Sequence, residues 1–279
     1  MNREVVMHQI PERSAPTLAH KILTLSGIVW FCVTAIGQFI FVYYIVAAYV
    51  PVLAVEGLPG MANTPLPYGY VERDFLGNIA IAFHVVIAIV IVGGGVLQLT
   101  PAIRNHFPVV HRWLGRTYVV LAILTSLAGL HLVWTRGVSG GVFAPYSITI
   151  VGILIIIFAL IAITCAIKRQ FDCHRRWAMR LFMVSSAVWF FRVWLMFWFM
   201  TTGGIGIDPE TFTGPFITFT YFAQFVVPLS LLQFYFLAQD SPGSGTKYAA
   251  SFTIGAATVA TAIGIFAATL GMWLPATLP

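Results

Sequence analysis

Long runs of apolar residues, broken by short polar stretches rich in Pro, Gly and basic side chains, dominate the chain. Seven such runs lie near Ile22 to Val50, Asn78 to Leu99, Trp113 to Trp134, Tyr146 to Ile167, Trp177 to Met200, Phe216 to Ala238 and Ala249 to Leu270. Each reaches the roughly 20 residues that an α-helix needs to cross the hydrocarbon core of a bilayer. Transmembrane β-strands would instead alternate over about ten residues, whereas the stretch from Ile150 to Ile163 is apolar throughout. The pattern predicts an all-α polytopic membrane bundle of seven transmembrane helices. Its connections are short enough for residues 22–279 to form one membrane domain, preceded by a cytoplasmic N-terminal segment, 1–21.

Composition makes lipid the main solvent. Of 279 residues 59% are apolar and 9% charged, against about 25% charged in a soluble domain, and the mean hydropathy is +0.90. Soluble, disordered, collagenous and disulfide-stapled classes are excluded together. The net charge of +6 therefore reports topology rather than nucleic-acid binding. With the N-terminus inside, Arg3, Arg13, Lys21, Arg104, Arg112, Arg116, Lys168, Arg169, Arg175, Arg176, Arg180 and Lys247 fall on the cytoplasmic side, against only Arg73 and Arg136 outside. The preference of basic residues for the cytoplasmic side then puts the N-terminus in the cytoplasm and the C-terminus outside a cell membrane.

The first 21 residues hold Glu4, Glu12 and two prolines without an apolar core, so they do not read as a cleavable signal. Pro51 to Phe75 is the long outer segment, either a plain connector or a lid. Cys32, Cys165 and Cys173 read as small apolar fillers, with no pair placed for a disulfide.

An internal echo is the first feature with chemical content. HRWLGR (His111 to Arg116) opens the third span and HRRWAMR (His174 to Arg180) the fifth. Aligned on Trp113 and Trp177, each is W-x-x-R preceded by His and a basic residue, which suggests that spans two and three repeat as spans four and five. Trp and Arg at these positions suit membrane-boundary anchoring. Two histidines at one depth on facing helices also suit axial haem ligation, and the basic ring of Arg112, Arg116 and Arg175 suits an anionic headgroup or substrate.

The stretch from His84 through VLQLTPAIRNHFPVVHRWLGRTYVVLAILTSLAGL, followed by FDCHRRWAMRLF, resembles an uncharacterised bacterial membrane family, domain-of-unknown-function family 2306. The resemblance covers about half the chain, spans two to five, and implies a small multi-pass membrane protein without an assigned activity. Its recurring positions correspond here to His84, His111, Arg112, Trp113, Gly115, Arg116, His174, Arg175 and Trp177. A remoter similarity, to di-haem cytochromes b and transmembrane ferric reductases, rests on helical histidine placement alone.

A second polar set lies in the outer half of the spans. At about 1.5 Å per residue, His84 lies about 9 to 12 Å below the outer start of span two, Arg192 about 12 Å below the outer end of span five, and His131 roughly 5 Å deep. Gln38 and Gln224 fall at comparable depth, so these five side chains are expected to converge. Arg192 has no Asp or Glu in any span as partner; its partner is expected to be a loop acid, a lipid phosphate, a backbone carbonyl or an anionic ligand.

These residues suggest three functions. The first is an integral membrane electron-transfer protein holding haem b between His84 and His131 or between His111 and His174, with Arg192 or Arg136 near the propionates. It would exchange electrons with a quinone or a redox partner protein. The second is a non-redox carrier or binding protein for an amphipathic anion, anchored by Arg192. The third is an intramembrane enzyme on a lipid-like substrate, against which stands the lack of any intramembrane carboxylate and of an HExxH motif. Lipids are the remaining expected partner.

Overall fold

The computed structural model describes residues 17–277; most of the N-terminal segment, on which the signal-peptide reading rests, lies outside them. The chain forms an all-α bundle of α1 (Leu18–Val55), α2 (Gly57–Gly60), α3 (Phe75–Leu99), α4 (Pro101–His106), α5 (Pro108–Thr135), α6 (Ala144–Ile167), α7 (Phe171–Ser185), α8 (Ala187–Thr202), α9 (Pro215–Asp240) and α10 (Ser244–Ala268). Six helices are long and apolar enough to cross a membrane, and α7 with α8, bent by 54° at Ser186, makes a seventh span. All seven sequence-predicted spans have a helical counterpart among the described residues, each beginning one to six residues before its expected start. The fifth, expected as one rod, is the exception in shape.

Packing follows from where the polar and small residues lie. Helices α3, α5, α6 and α7 pack in chain order, α10 closes the bundle between α1 and α8, and α9 lies against α6, α7, α8 and α10. Of the six unbroken spans α9 is the most buried over its apolar window. Leu25, Ile36, Phe39, Leu127, Leu160, Phe219 and Phe266 are exposed on the outside, as a lipid solvent requires. Gly264 allows α10 to approach α8, since a Cβ there would stand 2.3 Å from the Val193 carbonyl oxygen.

The break in the fifth span is braced from within the bundle, although Ser185 Oγ and Gln38 Oε1 beside it have no partner. Ser186 donates its hydroxyl to the Phe182 carbonyl at 2.8 Å and accepts Gln38 Nε2 at 2.8 Å. Freed polar groups at a mid-membrane break need such partners, because hydrocarbon supplies none. Trp189 Nε1 adds a bond to the Gly37 carbonyl at 3.3 Å, so α1 braces both sides of the bend.

At 38 residues, α1 is about 57 Å long and outruns the hydrocarbon core of about 30 Å. The chain then folds back over the bundle through α2 and a short turn, Met61–Asn63. Met61 is fully buried there, with Leu66 and Tyr70 packed on the same core. The segment is thus a packed cap, secured by Arg136 at the end of α5. Arg136 donates to the Asp74 carboxylate at 2.8 Å, to Asn78 Oδ1 at 2.6 Å and to the Tyr68 carbonyl at 2.9 Å. Asp74 also caps α3, accepting the Gly77 N–H at 2.9 Å. These bonds commit Arg136, which corrects its assignment to a propionate.

The Gly77 N–H and the Arg136 guanidinium hold the Asp74 carboxyl below its ordinary value of 3.8. A depressed folded pKa makes this contribution fully present above about 4 and lost as pH falls through the lower folded value. Pepsin cleavage between residues 57 and 73, normalised to an unfolded reference, should therefore rise between pH 4 and pH 2. Arg136→Met should already show it at pH 4, with a thermal midpoint lower by about 5 °C or more.

Candidate functional site

Both histidine motifs sit at one end of the bundle, where α3 passes to α5 and α6 to α7. Pro101 and Pro108 open α4 and α5; a first-turn position costs proline nothing, because its missing N–H would be unpaired there anyway. The short α4 thus sets HRWLGR into the first turns of α5, where Gln98 Nε2 donates to the His111 carbonyl at 3.0 Å. At the other turn Arg169 adopts φ +57, and HRRWAMR forms the first turns of α7.

The two W-x-x-R elements have the same local form. Arg116 lies over the Trp113 ring at 5.2 Å and Arg180 over Trp177 at 4.9 Å, the cation–π contact that an i, i+3 spacing on a helix permits. Their surroundings differ. Trp113 is 63% exposed, as an interfacial anchor would be, whereas Trp177 packs edge-on to Phe158 at 5.1 Å. Arg176 pairs with Asp240 at 2.6 Å and Arg180 donates to Gln233 Oε1 at 2.7 Å, fastening α7 to α9.

Between these helices lies a cavity of about 1120 Å³, lined from α1 by Phe31 and Cys32, from α3 by Gly95 and Gln98, and from α5 by His111, Gly115 and Tyr118. Helix α6 adds Ala162 and Ala166, α7 adds His174, Met179 and Phe182, and α9 adds Leu232 and Tyr235. Its inner wall is apolar. Its basic side carries Arg104, Arg112, Arg116 and Arg175, with Asp172 the lone carboxylate among the lining residues.

The two histidines present different nitrogens. His174 Nδ1 stands 2.9 Å from the Ala162 carbonyl; a carbonyl only accepts, so Nδ1 carries the proton and a neutral ring keeps its lone pair on Nε2. His111 Nδ1 is buried without a hydrogen-bond partner, and the buried Tyr118 hydroxyl lies near the Ser185 hydroxyl. An unpaired buried polar atom is costly; His111 lines the cavity, but this nitrogen does not reach the cavity surface. Among the described residues no three His, Cys, Asp or Glu side chains converge on a point, so any metal would rely on two histidines and its own ligands.

The outer polar set is dispersed. His84 Nδ1 meets the Thr125 carbonyl at 3.2 Å, and its ring lies beside Gly129. His131, two residues beyond Gly129, leaves α5 about 200° further round at 3.6 residues per turn, so it does not share that contact. Arg192 donates to the Val188 carbonyl at 3.1 Å and lies over the Phe41 ring at 5.6 Å. It has no ion pair among the described residues. Gln224 donates to the Tyr221 carbonyl at 2.7 Å and to Ser147 Oγ at 3.3 Å, while Gln38 serves the α7–α8 break. Gln38, His84, Arg192 and Gln224 each bond to a different partner, and no hydrogen bond joins any two of the five.

Sequence reasoning missed three features of the basic end. Gln98 and Tyr118 line the cavity without belonging to either motif. Cys165 and Cys173 form a disulfide across the α6–α7 turn, correcting their reading as separate fillers. Their eight-residue separation across a predicted antiparallel turn was the available signal.

A family described as Predicted membrane protein (DUF2306) matches the chain over residues 81–227. No curated protein and no solved structure matches it, so the likeness to di-haem cytochromes b and ferric reductases gains no support.

The cavity wall makes a contrast that can be measured. A Cβ on Gly95 would lie 3.1 Å from the Phe182 ring and 3.3 Å from the Tyr118 hydroxyl, whereas one on Gly115 would meet Gln98 at an ordinary 3.5 Å. Gly95→Ala should lower the thermal midpoint by several degrees, as overpacking costs about 1–3 kcal/mol. Gly115→Ala should leave it within about one degree, since nothing has to move.

Proposed function

The chain belongs to the DUF2306 family of membrane proteins, and we propose that it is a b-type haem-binding electron-transfer protein whose haem lies between His111 and His174. The observation that carries this reading is that these two histidines, on two helices that both pack on α6, border one large cavity with a basic side. The volume of about 1120 Å³ lies at the upper end of ordinary small-molecule pockets, which suits a macrocycle.

The chain's own residues fit the group. His174 is held by the Ala162 carbonyl in the tautomer that leaves Nε2 available, the orientation that metal-binding histidines generally receive from a carbonyl or carboxylate. His111 lines the same cavity from α5. Arg104, Arg112, Arg116 and Arg175 supply positive charge for propionates, and Phe31, Phe182 and Leu232 exclude water. When bound, haem supplies reversible one-electron chemistry; the protein contributes ligation, orientation and field. The basic end faces the cytoplasm by the distribution of Lys and Arg, which puts the site within reach of a quinone or a redox partner protein there. The outer histidines, His84 and His131, and Arg192 are not used.

A second reading rests on the basic side alone: a non-redox binding or carrier protein for an amphipathic anion, its head among the arginines and its apolar body against α1 and α9. One experiment separates the two. Protein purified from haem-replete cells should show a Soret band that disappears in His174→Ala and His111→Ala and persists in His84→Ala. A colourless wild-type protein overturns the haem reading. Retention of an anionic lipid or metabolite by that protein, lost in Arg112→Gln with Arg175→Gln, would establish the second.

A further inference from the structure

The Cys165–Cys173 disulfide joins the last turn of α6 to the first turn of α7, beside the cavity. Ala162 and Ala166 flank Cys165, and Asp172 and His174 flank Cys173, and all four line that cavity. The two sulfurs differ in access. Cys165 is 6% exposed, whereas Cys173 is partly exposed on the opening turn of its helix. Arg169 in the enclosed turn sits at φ +57, a left-handed conformation that a side chain disfavours. Beyond the disulfide, the turn is held by Arg169 N–H to the Ala166 carbonyl at 3.0 Å and Gln170 N–H to the Cys165 carbonyl at 2.9 Å.

We propose that this disulfide is a thiol–disulfide exchange site, opened by a dithiol reductant that attacks Cys173 from the aqueous face, and that its redox state sets the order of the cavity's α6–α7 wall. In the exchange, one reductant sulfur bonds to Cys173 Sγ as the Cys165–Cys173 bond breaks, and Cys165 leaves as a thiol. The second reductant sulfur then displaces Cys173. Two electrons and two protons pass to the chain, and the reductant becomes a disulfide. Once reduced, the turn is held by its backbone bonds, by His174 Nδ1 on the Ala162 carbonyl and by Trp177 against Phe158, so the segment around Arg169 and the first turn of α7 loosen while the body of α7 stays on α6. The inference does not rest on the haem reading, because the exchange needs no occupant in the cavity.

Alkylation followed by intact-mass measurement on the folded wild-type protein in detergent tests it. After oxidation only Cys32 should be modified; dithiothreitol, without denaturant, should add two further sites, and oxidised glutathione should remove them again. Amide exchange over residues 165–175 should quicken on reduction and recover on reoxidation. Cys165→Ser should trap glutathione on Cys173, whereas Cys173→Ser should leave Cys165 unmodified. A pair that opens only after unfolding, one that does not re-form, or exchange rates indifferent to its state would overturn the proposal. So would the reverse pattern of glutathione trapping.

Discussion

A bilayer offers no water to a buried polar atom, and that constraint decides most of what this bundle does with its few polar side chains. Across the spans several of these groups are spent on structure, although Thr34, Thr125, Ser126 and Trp273 each keep a buried polar atom without a partner. Gln38 braces the bend at Ser186, Gln224 ties α9 to Ser147 on α6, His84 is held at the Thr125 carbonyl, and Arg192 turns to the Val188 carbonyl and the Phe41 ring. At the basic end the account is incomplete. Four arginines face one carboxylate around a large cavity there. That excess of positive charge is the physical reason for an anionic ligand to bind.

Much of this was legible in the sequence because it depends on local pattern. Apolar run length gave the seven spans, and the spacing of W-x-x-R gave two alike helix starts, each with its Arg on its Trp. That His111 and His174 line one cavity agrees with their equal depth at one end of two antiparallel hairpins. Convergence of the outer polar set did not follow, because depth along a helix says nothing about rotation around it. His131 and Gly129 are nearly level, yet on different sides of α5. The bend at Ser186 was also hidden: it contains no proline, and its stability comes from Gln38, 148 residues away in sequence. The disulfide required knowing how sharply the α6–α7 turn closes, which Arg169 decides through its backbone.

The two ends of the bundle are built for different tasks. At the end that carries the cap, Arg136, Asp74 and Asn78 satisfy one another and lock residues 56–74 over the helices. At the basic end, Arg176 and Arg180 are tied down by Asp240 and Gln233, while Arg112, Arg116 and Arg175 remain along the cavity. Within the matched family region, residues 81–227, lie both motifs, the bend and all of the cavity's histidine and arginine side chains. The cap and α10 lie outside it and serve as closure.

The central claim is that the space between His111 and His174 exists to hold something. The most direct measurement is an experimental density map of the protein extracted with its native lipids, inspected at that cavity. The account predicts non-protein density in contact with both imidazoles and directed towards Arg112 or Arg175. A cavity filled by the chain's own side chains, or one empty of everything except disordered solvent, would contradict it.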